Sequence, residues 1–494
     1  MASNLAQRAL VGLRWTAAAQ VGAQAAQWVA FVTLARAVTP EAYGTIASAL
    51  LITGALGAAA ELGLAPALLQ LPILRPAHLG AGLVAAATSA LLLTACCWAA
   101  APALAAFFGQ PMLVEVLRTL AWALPVASLG LVPRAVLERG LRFRALSAIE
   151  TAAAVLGAAM VALAATRGWG VWAMVAGQLC SAATATVLVW LVARPSLASP
   201  LARGTWQDLL PVAAPVLGSR LLGFTASHLD TLLVGSLLGP AALGVYSLAH
   251  KLAMWPALRI SHVVLRVAGP VLMRSREHHG AFSRGYVRLL RGLAALVLPL
   301  LGVLAALAPL AVPRLLGASW AEAAALTQLL CLVGASKALV CSVGVVYLGC
   351  GRPDLELKLN AVGALKLPAL LALATPWGLP GVGCAYVLSS AIGAPVQLHL
   401  ALRLLGVSWH SLATALARPA AGALAATAAA AGVLGATIAW EDTARLLAAT
   451  LAGVAAGASA WAPAGWQALR QHRLQRAGSP EAVLTPPLDA TGTS

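Results

Sequence analysis

Of the 494 residues, 61% are hydrophobic and 10% are charged, whereas a soluble domain carries about 25% charged residues. That balance argues against a water-soluble enzyme, and the net charge of +17 does not point to nucleic acid. The basic residues sit mostly in links between apolar stretches, where they orient a chain in a membrane. No ten-residue alternation of apolar and polar side chains appears, which speaks against a membrane β-barrel.

A helix that crosses a bilayer needs about 20 apolar residues, and the sequence predicts fourteen such spans. They lie near 10–35, 43–69, 80–107, 112–136, 145–166, 169–193, 208–237, 241–272, 288–312, 322–348, 357–376, 379–402, 411–439 and 443–463. Each is read as a helix, because a lone segment in lipid must satisfy its own backbone. No cleavable leader is expected: Met1 to Arg14 carries only Arg8 and Arg14 and runs into the first span. Residues 477–494 are rich in Pro, Thr, Ser and Gly and are expected to be a disordered tail. The seven cysteines lie in or beside apolar stretches without metal spacing and read as small packing residues.

Charge tests this map. With both termini cytoplasmic, the inner links hold Arg75, Arg134, Arg139, Arg142, Arg144, Arg274, Arg276, Arg284, Arg288 and Arg291 among others, whereas the outer links hold Arg36, Arg167, Arg314 and Arg445. That asymmetry follows the positive-inside rule, and Trp169, Trp172, Trp320, Trp377 and Trp440 fall near the expected outer ends as an aromatic belt. The inner arginines also suit anionic lipid headgroups.

The map repeats. The link Thr39-Pro40-Glu41-Ala42-Tyr43-Gly44 recurs as Gly239-Pro240-Ala241-Ala242-Leu243-Gly244, and Gly140 and Gly170 recur as Gly351 and Gly381. Six spans separate the copies, so both insert with the same orientation, as a parallel repeat. The expectation is an all-α polytopic membrane protein of about 14 transmembrane helices. Residues 1–200 and 201–405 form two six-helix bundles, 406–476 two accessory helices, and 477–494 the tail.

Charges far from span ends are costly, about 2.5–3.5 kcal/mol at the centre by low estimates. The basic ones are Arg118, Arg220, Lys251, Arg259, Arg266, Lys337 and Lys366, and the acidic ones Glu61, Glu115 and Asp230. Arg220, Lys251 and Lys337 fall in the middle third of the membrane. Arg266 reads as a snorkelling residue, and Glu115 with Arg118 as a local pair three residues apart. Asp230 is expected to pair with Lys251 or Arg220. The sum is net positive, and a cavity with that field attracts anions, phosphate in particular. The candidate substrate-binding residues are therefore Arg220, Lys251, Arg259, Lys337, Lys366 and Arg118; Asp230 and Glu61 are candidates for ion coupling. Pro125, Pro211, Pro215, Pro256, Pro270, Pro299 and Pro368 punctuate spans and offer bending points. No catalytic, metal or cofactor constellation is expected.

Several stretches resemble the polysaccharide (lipid-linked oligosaccharide) flippase family of the multidrug/oligosaccharidyl-lipid/polysaccharide exporter superfamily. The likeness is strongest to its lipopolysaccharide and colanic-acid exporter-like branch. The stretches are Leu34 to Gly44 with Glu61-Leu62-Gly63-Leu64, then Glu138 to Arg144 with Gly168 to Ala173, then His228 to Gly235 with Leu243 to Leu252. The resemblance covers about residues 5 to 400. It implies movement of an undecaprenyl-pyrophosphate-linked oligosaccharide across a bacterial cytoplasmic membrane by alternating access, for surface polysaccharide. It implies an ion gradient as drive, with a polysaccharide polymerase or assembly protein and membrane lipids as partners, and no nucleic acid. The competing readings are a multidrug or cation extruder, which needs cavity carboxylates in excess, and a non-transporting membrane scaffold, which needs a dry interface between halves.

Overall fold

The computed structural model of the chain describes residues 20, 22–199, 205–276, 278–437 and 440–459. Every regular element among them is helical. After α1 (22–37) come α2 (Pro40–Ala60), α3 (Leu64–Gln70), α4 (Pro76–Phe108), α5 (Leu113–Leu120), α6 (Ala123–Leu129), α7 (Leu131–Arg139), α8 (Phe143–Thr166) and α9 (Val171–Ala193). The remainder are α10 (Thr205–Arg274), α11 (His279–Leu316), α12 (Ala321–Val340), α13 (Val343–Gly349), α14 (Pro353–Ala374), α15 (Gly378–Leu405), α16 (Trp409–Ala436) and α17 (Asp442–Ser459). The tail 477–494 and much of the first predicted span lie outside the described residues.

Ten segments among the described residues are long and apolar enough to cross a membrane, fewer than the fourteen expected. Two of them, 70 and 53 residues long, far exceed the about 20 residues of one crossing, and each is broken inside. In α10 the break is Gly239, at φ 83 and ψ −179, a conformation essentially confined to glycine. Between α14 and α15 it is a 3-10 turn over Thr375–Trp377 followed by Gly378 at φ 63. The chain is a multi-pass membrane protein. Large apolar side chains such as Leu222, Val267, Leu365 and Leu373 are exposed, as lipid requires.

The duplicated link explains how the halves meet. The Thr39 hydroxyl accepts from Ala42 N–H at 3.3 Å and starts α2, with Pro40 in its first turn. The two copies then cross. A Cβ on Gly44 would lie 1.9 Å from the Pro240 carbonyl oxygen, and one on Gly244 would lie 1.8 Å from that of Pro40. The glycines are needed because backbone passes backbone in both directions.

The largest core cluster joins the halves through Phe31, Leu34, Tyr43, Leu243, Tyr246, Trp320 and Tyr386. Trp320 corrects the aromatic-belt expectation. It is fully buried, stacks edge-on against Tyr43, and its indole N–H donates to Ala35 O at 2.8 Å. Burying so large a ring is favourable once its one donor is satisfied. Beside it, Arg36 Nε donates to Leu315 O at 2.6 Å and Nη2 to Arg314 O at 3.1 Å, bracing the last carbonyls of α11. These bonds tie the end of α1 to the end of α11 and to Trp320.

The first part of α10 straddles the halves. Leu209 and Ala213 pack with Leu64, Leu68, Leu79 and Val132 of α3, α4 and α7, whereas Asp230 packs with Tyr246 and Tyr386. At the same end Arg139 occupies the carbonyls that terminate α3, with Nη1 3.1 Å from Leu68 O and 2.6 Å from Leu71 O. An arginine at that terminus is favoured by the helix dipole.

Candidate functional site: two neighbouring cavities and a sealed carboxylate

Two cavities open within the first part of the chain, each completed by residues of α10. The first, about 550 Å3, is enclosed by α1, α2, α8, α9 and the second part of α10. Its walls combine small residues of α8 and α9, among them Ala153, Ala154, Gly157, Gly177 and Ser181, with the rings of Trp28, Phe31, Tyr43 and Trp255 and the polar groups Gln24, Gln27, Gln178, Glu150 and Lys251. Small residues let α8 and α9 touch: a Cβ on Gly157 or Gly177 would lie 3.0 Å from the other's carbonyl oxygen. The second cavity, about 570 Å3, lies among α2, α3, α6, α7, α9 and the first part of α10, and Glu61, Arg134, Glu138 and Arg220 line it. Ala185 lines both. Arg134 bridges them, its Nη2 2.5 Å from Glu150 and its Nε 3.0 Å from Glu138. A third cavity of about 390 Å3 is apolar, walled by α2, α4 and the first part of α10, where Phe224 stacks on His228.

Lys251 faces the first cavity and is accessible there, with its ammonium 4.3 Å from the centroid of the Phe31 ring. That is cation–π geometry. Among the described residues it makes no ion pair. Arg220 lines the second cavity and is paired with Glu61. Arg259 is exposed and donates to the Gln20 side chain at 3.0 Å. Lys337 sits over Tyr386, 5.5 Å from its ring centroid, within electrostatic reach of Asp230. Lys366 donates to Ser389 O at 2.6 Å and braces α14 against α15. Arg118 is exposed and lies over Trp98, at 5.8 Å. Lys251 and Arg220 therefore line the two neighbouring cavities; the other four line none of the three described.

Two expectations need correction. Asp230 pairs with neither Lys251 nor Arg220. It accepts from the hydroxyls of Tyr246, at 2.6 Å, and Tyr386, and from Thr231 N–H at 2.7 Å. It is 8% exposed, and three donors satisfy it without a cation. The field of the cavities is also not an excess of positive charge. Their charged lining is Arg134, Arg220 and Lys251 against Glu61, Glu138 and Glu150. Charges in a low-dielectric setting persist when partnered, and here each guanidinium has found a carboxylate.

Arg134, Glu138 and Glu150 belong to this site without having been singled out by the sequence. Arg134 reads as one more topogenic arginine, and Glu150 lies close enough to a predicted span start to pass as interfacial. The spacing of Arg134 and Glu138, four apart on one helix, was the available signal. Tyr246 and Tyr386 carried none, since their meeting depends on packing between α10 and α15.

Comparison with known proteins now decides the family. The profile of "Polysaccharide biosynthesis protein" matches residues 33–325, more than half of the chain. The chain belongs to that family. It is 29% identical over 269 residues to the teichuronic acid biosynthesis protein TuaB of Bacillus subtilis (strain 168), a match that covers 54% of this chain and spans only 55% of that relative. It is 23% identical over 421 residues to the lipopolysaccharide biosynthesis protein WzxC of Escherichia coli (strain K12), over 82% of this chain and 84% of that one. The fold is that of the lipid II flippase MurJ in an inward closed conformation, with a TM-score of 0.69 at 12% identity, covering 92% of this chain and 99% of that one. An inward-facing multidrug resistance MATE family transporter of the MOP superfamily shares it with a TM-score of 0.60 at 16% identity, over 77% of this chain and 94% of that one.

Proposed function

We propose that this chain is a flippase that moves an anionic lipid-linked oligosaccharide, undecaprenyl-pyrophosphate-linked, across the bacterial cytoplasmic membrane for surface polysaccharide. The observation that carries the reading is Lys251. It is a cation without a carboxylate partner among the described residues, facing an accessible cavity of about 550 Å3, and the end of α1 is tied to the end of α11 and to Trp320. A phosphate oxygen is a natural partner for such an ammonium. The family and the names of its polysaccharide-building relatives support the same cargo.

In this reading residues 1–200 and 201–405 rock as two bundles, with 406–476 appended. Both termini face the cytoplasm, and release of the Arg36 and Trp320 contacts opens the opposite face. Lys251 and Arg220 contact the headgroup. Asp230, sealed between parts of the second bundle, is the group whose ionic state couples the cycle to a gradient; Glu61 reports the state of Arg220. No catalytic step is required, and a polymerase or assembly protein receives the product. Export of cationic drugs fits less well, because Glu150 is already engaged by Arg134.

The test is polysaccharide export in a bacterial strain lacking its own exporter and complemented by this chain. Lys251→Gln and Lys251→Glu should abolish export at normal membrane levels, and Lys251→Arg should retain part of it. Undiminished export by Lys251→Glu, or efflux of cationic dyes in its place, would sink the reading.

A further inference from the structure

The second cavity holds two guanidiniums, Arg134 from α7 and Arg220 from the first part of α10. Both are held by carboxylates from other elements: Arg220 by Glu61 at the end of α2, and Arg134 by Glu150 of α8 as well as Glu138 on its own helix. We propose that these two arginines form an entrance site for a diphosphate group, which takes them from Glu61 and Glu150 as it arrives. This deepens the flippase reading and rests on it.

Three observations carry the exchange. The first is accessibility. The side chains of Arg220 and Glu61 are 40% and 44% exposed, and those of Arg134 and Glu150 are 49% and 41% exposed. Both ion pairs are open rather than sealed, so a competing anion can reach the arginines. The second is charge. Three cations face three carboxylates across the two neighbouring cavities, a neutral arrangement that membrane interiors tolerate when empty. A diphosphate offers several oxygens, and a guanidinium binds a phosphate through paired N–H donors, whereas Arg220 now meets a single oxygen of Glu61 and Arg134 one oxygen each of Glu138 and Glu150. The third is continuity. Glu150 lines the first cavity, which contains Lys251, while its partner Arg134 lines the second. Moving Arg134 off Glu150 therefore removes the bridge between entrance and centre, and the group passes from two arginines to the lysine beyond.

Glutamates in this scheme are competitors of the ligand, whereas in a purely structural brace they would be supports. That difference is measurable with the full chain in lipid nanodiscs, titrated with inorganic pyrophosphate and, separately, with a polyprenyl diphosphate. Glu61→Gln and Glu150→Gln should each tighten binding, by about fivefold, because the competitor is gone. Arg220→Gln and Arg134→Gln should weaken it by about tenfold or more, and the lysine variants should recover part of the loss. The same order with both probes means that the diphosphate itself is read. The order with the polyprenyl form alone means that the site reads the group only when the membrane presents it. Either result sustains the exchange. Glutamate variants that leave binding unchanged or weaken it, while lowering the melting temperature, would overturn it. Export by the unaltered chain is scored independently. A chain that exports polysaccharide but fails the glutamate test loses only the exchange; a chain that exports none loses the flippase reading itself.

Discussion

Two helix pairs at corresponding places in the repeated sequence pack differently. In the first copy α8 and α9 approach through Gly157 and Gly177 and turn Ala153, Ala154 and Ser181 toward a cavity. In the second copy the matching pair is α14 and α15. There Lys366 reaches across to Ser389 O, and Tyr386 fills the space against Tyr246 and Asp230. Small side chains leave volume that water and a headgroup can occupy. Aromatic rings remove that volume and make the same kind of interface a brace. One helix pair thus borders a cavity and the other is filled, and the charges differ accordingly: Glu150 and Arg134 line cavities, whereas Asp230 is sealed.

Emptying the filled pair should have the largest effect. Tyr386→Ala leaves a cavity and strips Asp230 of a donor, at a cost of about 3–5 kcal/mol, whereas Tyr386→Phe keeps the volume and costs about 1–3 kcal/mol. Thermal unfolding in detergent measures both; equal melting temperatures for the two variants would mean that the ring does not hold the second bundle together. Next come the crossing glycines. Gly44→Val and Gly244→Val each drive a side chain into backbone and should cost about 3 kcal/mol or more, seen as loss of monodisperse protein on size exclusion. If one is tolerated and the other is not, the crossing is less symmetric than its distances indicate.

A smaller effect separates the two copies of the link itself. Gly239→Thr places a β-branched residue at φ 83 and should destabilise by about 1–3 kcal/mol. The corresponding change in the first copy, Thr39→Ala, removes only the cap on Ala42 and should cost about 1 kcal/mol. Were Gly239→Thr the milder of the two, the break in α10 would not require glycine.

Much of this architecture was legible in the sequence. The helical, multi-pass character is a property of local composition, and the repeated link marked Gly44 and Gly244 before their contact was visible. Lys251 and Arg220 stood out for the same reason, since a charge in an apolar run is conspicuous wherever the run folds. Facing was not legible. Lys366 and Arg118 looked like Lys251 in the sequence, yet one braces a helix pair and the other lies against an exposed tryptophan. Trp320 looked interfacial and is fully buried, bonded to Ala35 O.

By itself, then, the sequence determined a helical multi-pass membrane protein, because the length and apolarity of a run decide whether it can cross a bilayer before any helix meets another. The tertiary structure alone decided the partners. Arg220 meets Glu61 across 159 positions and Tyr386 meets Asp230 across 156. Which side of a helix faces a neighbour is a matter of rotation, and packing against residues remote in the chain fixes that rotation.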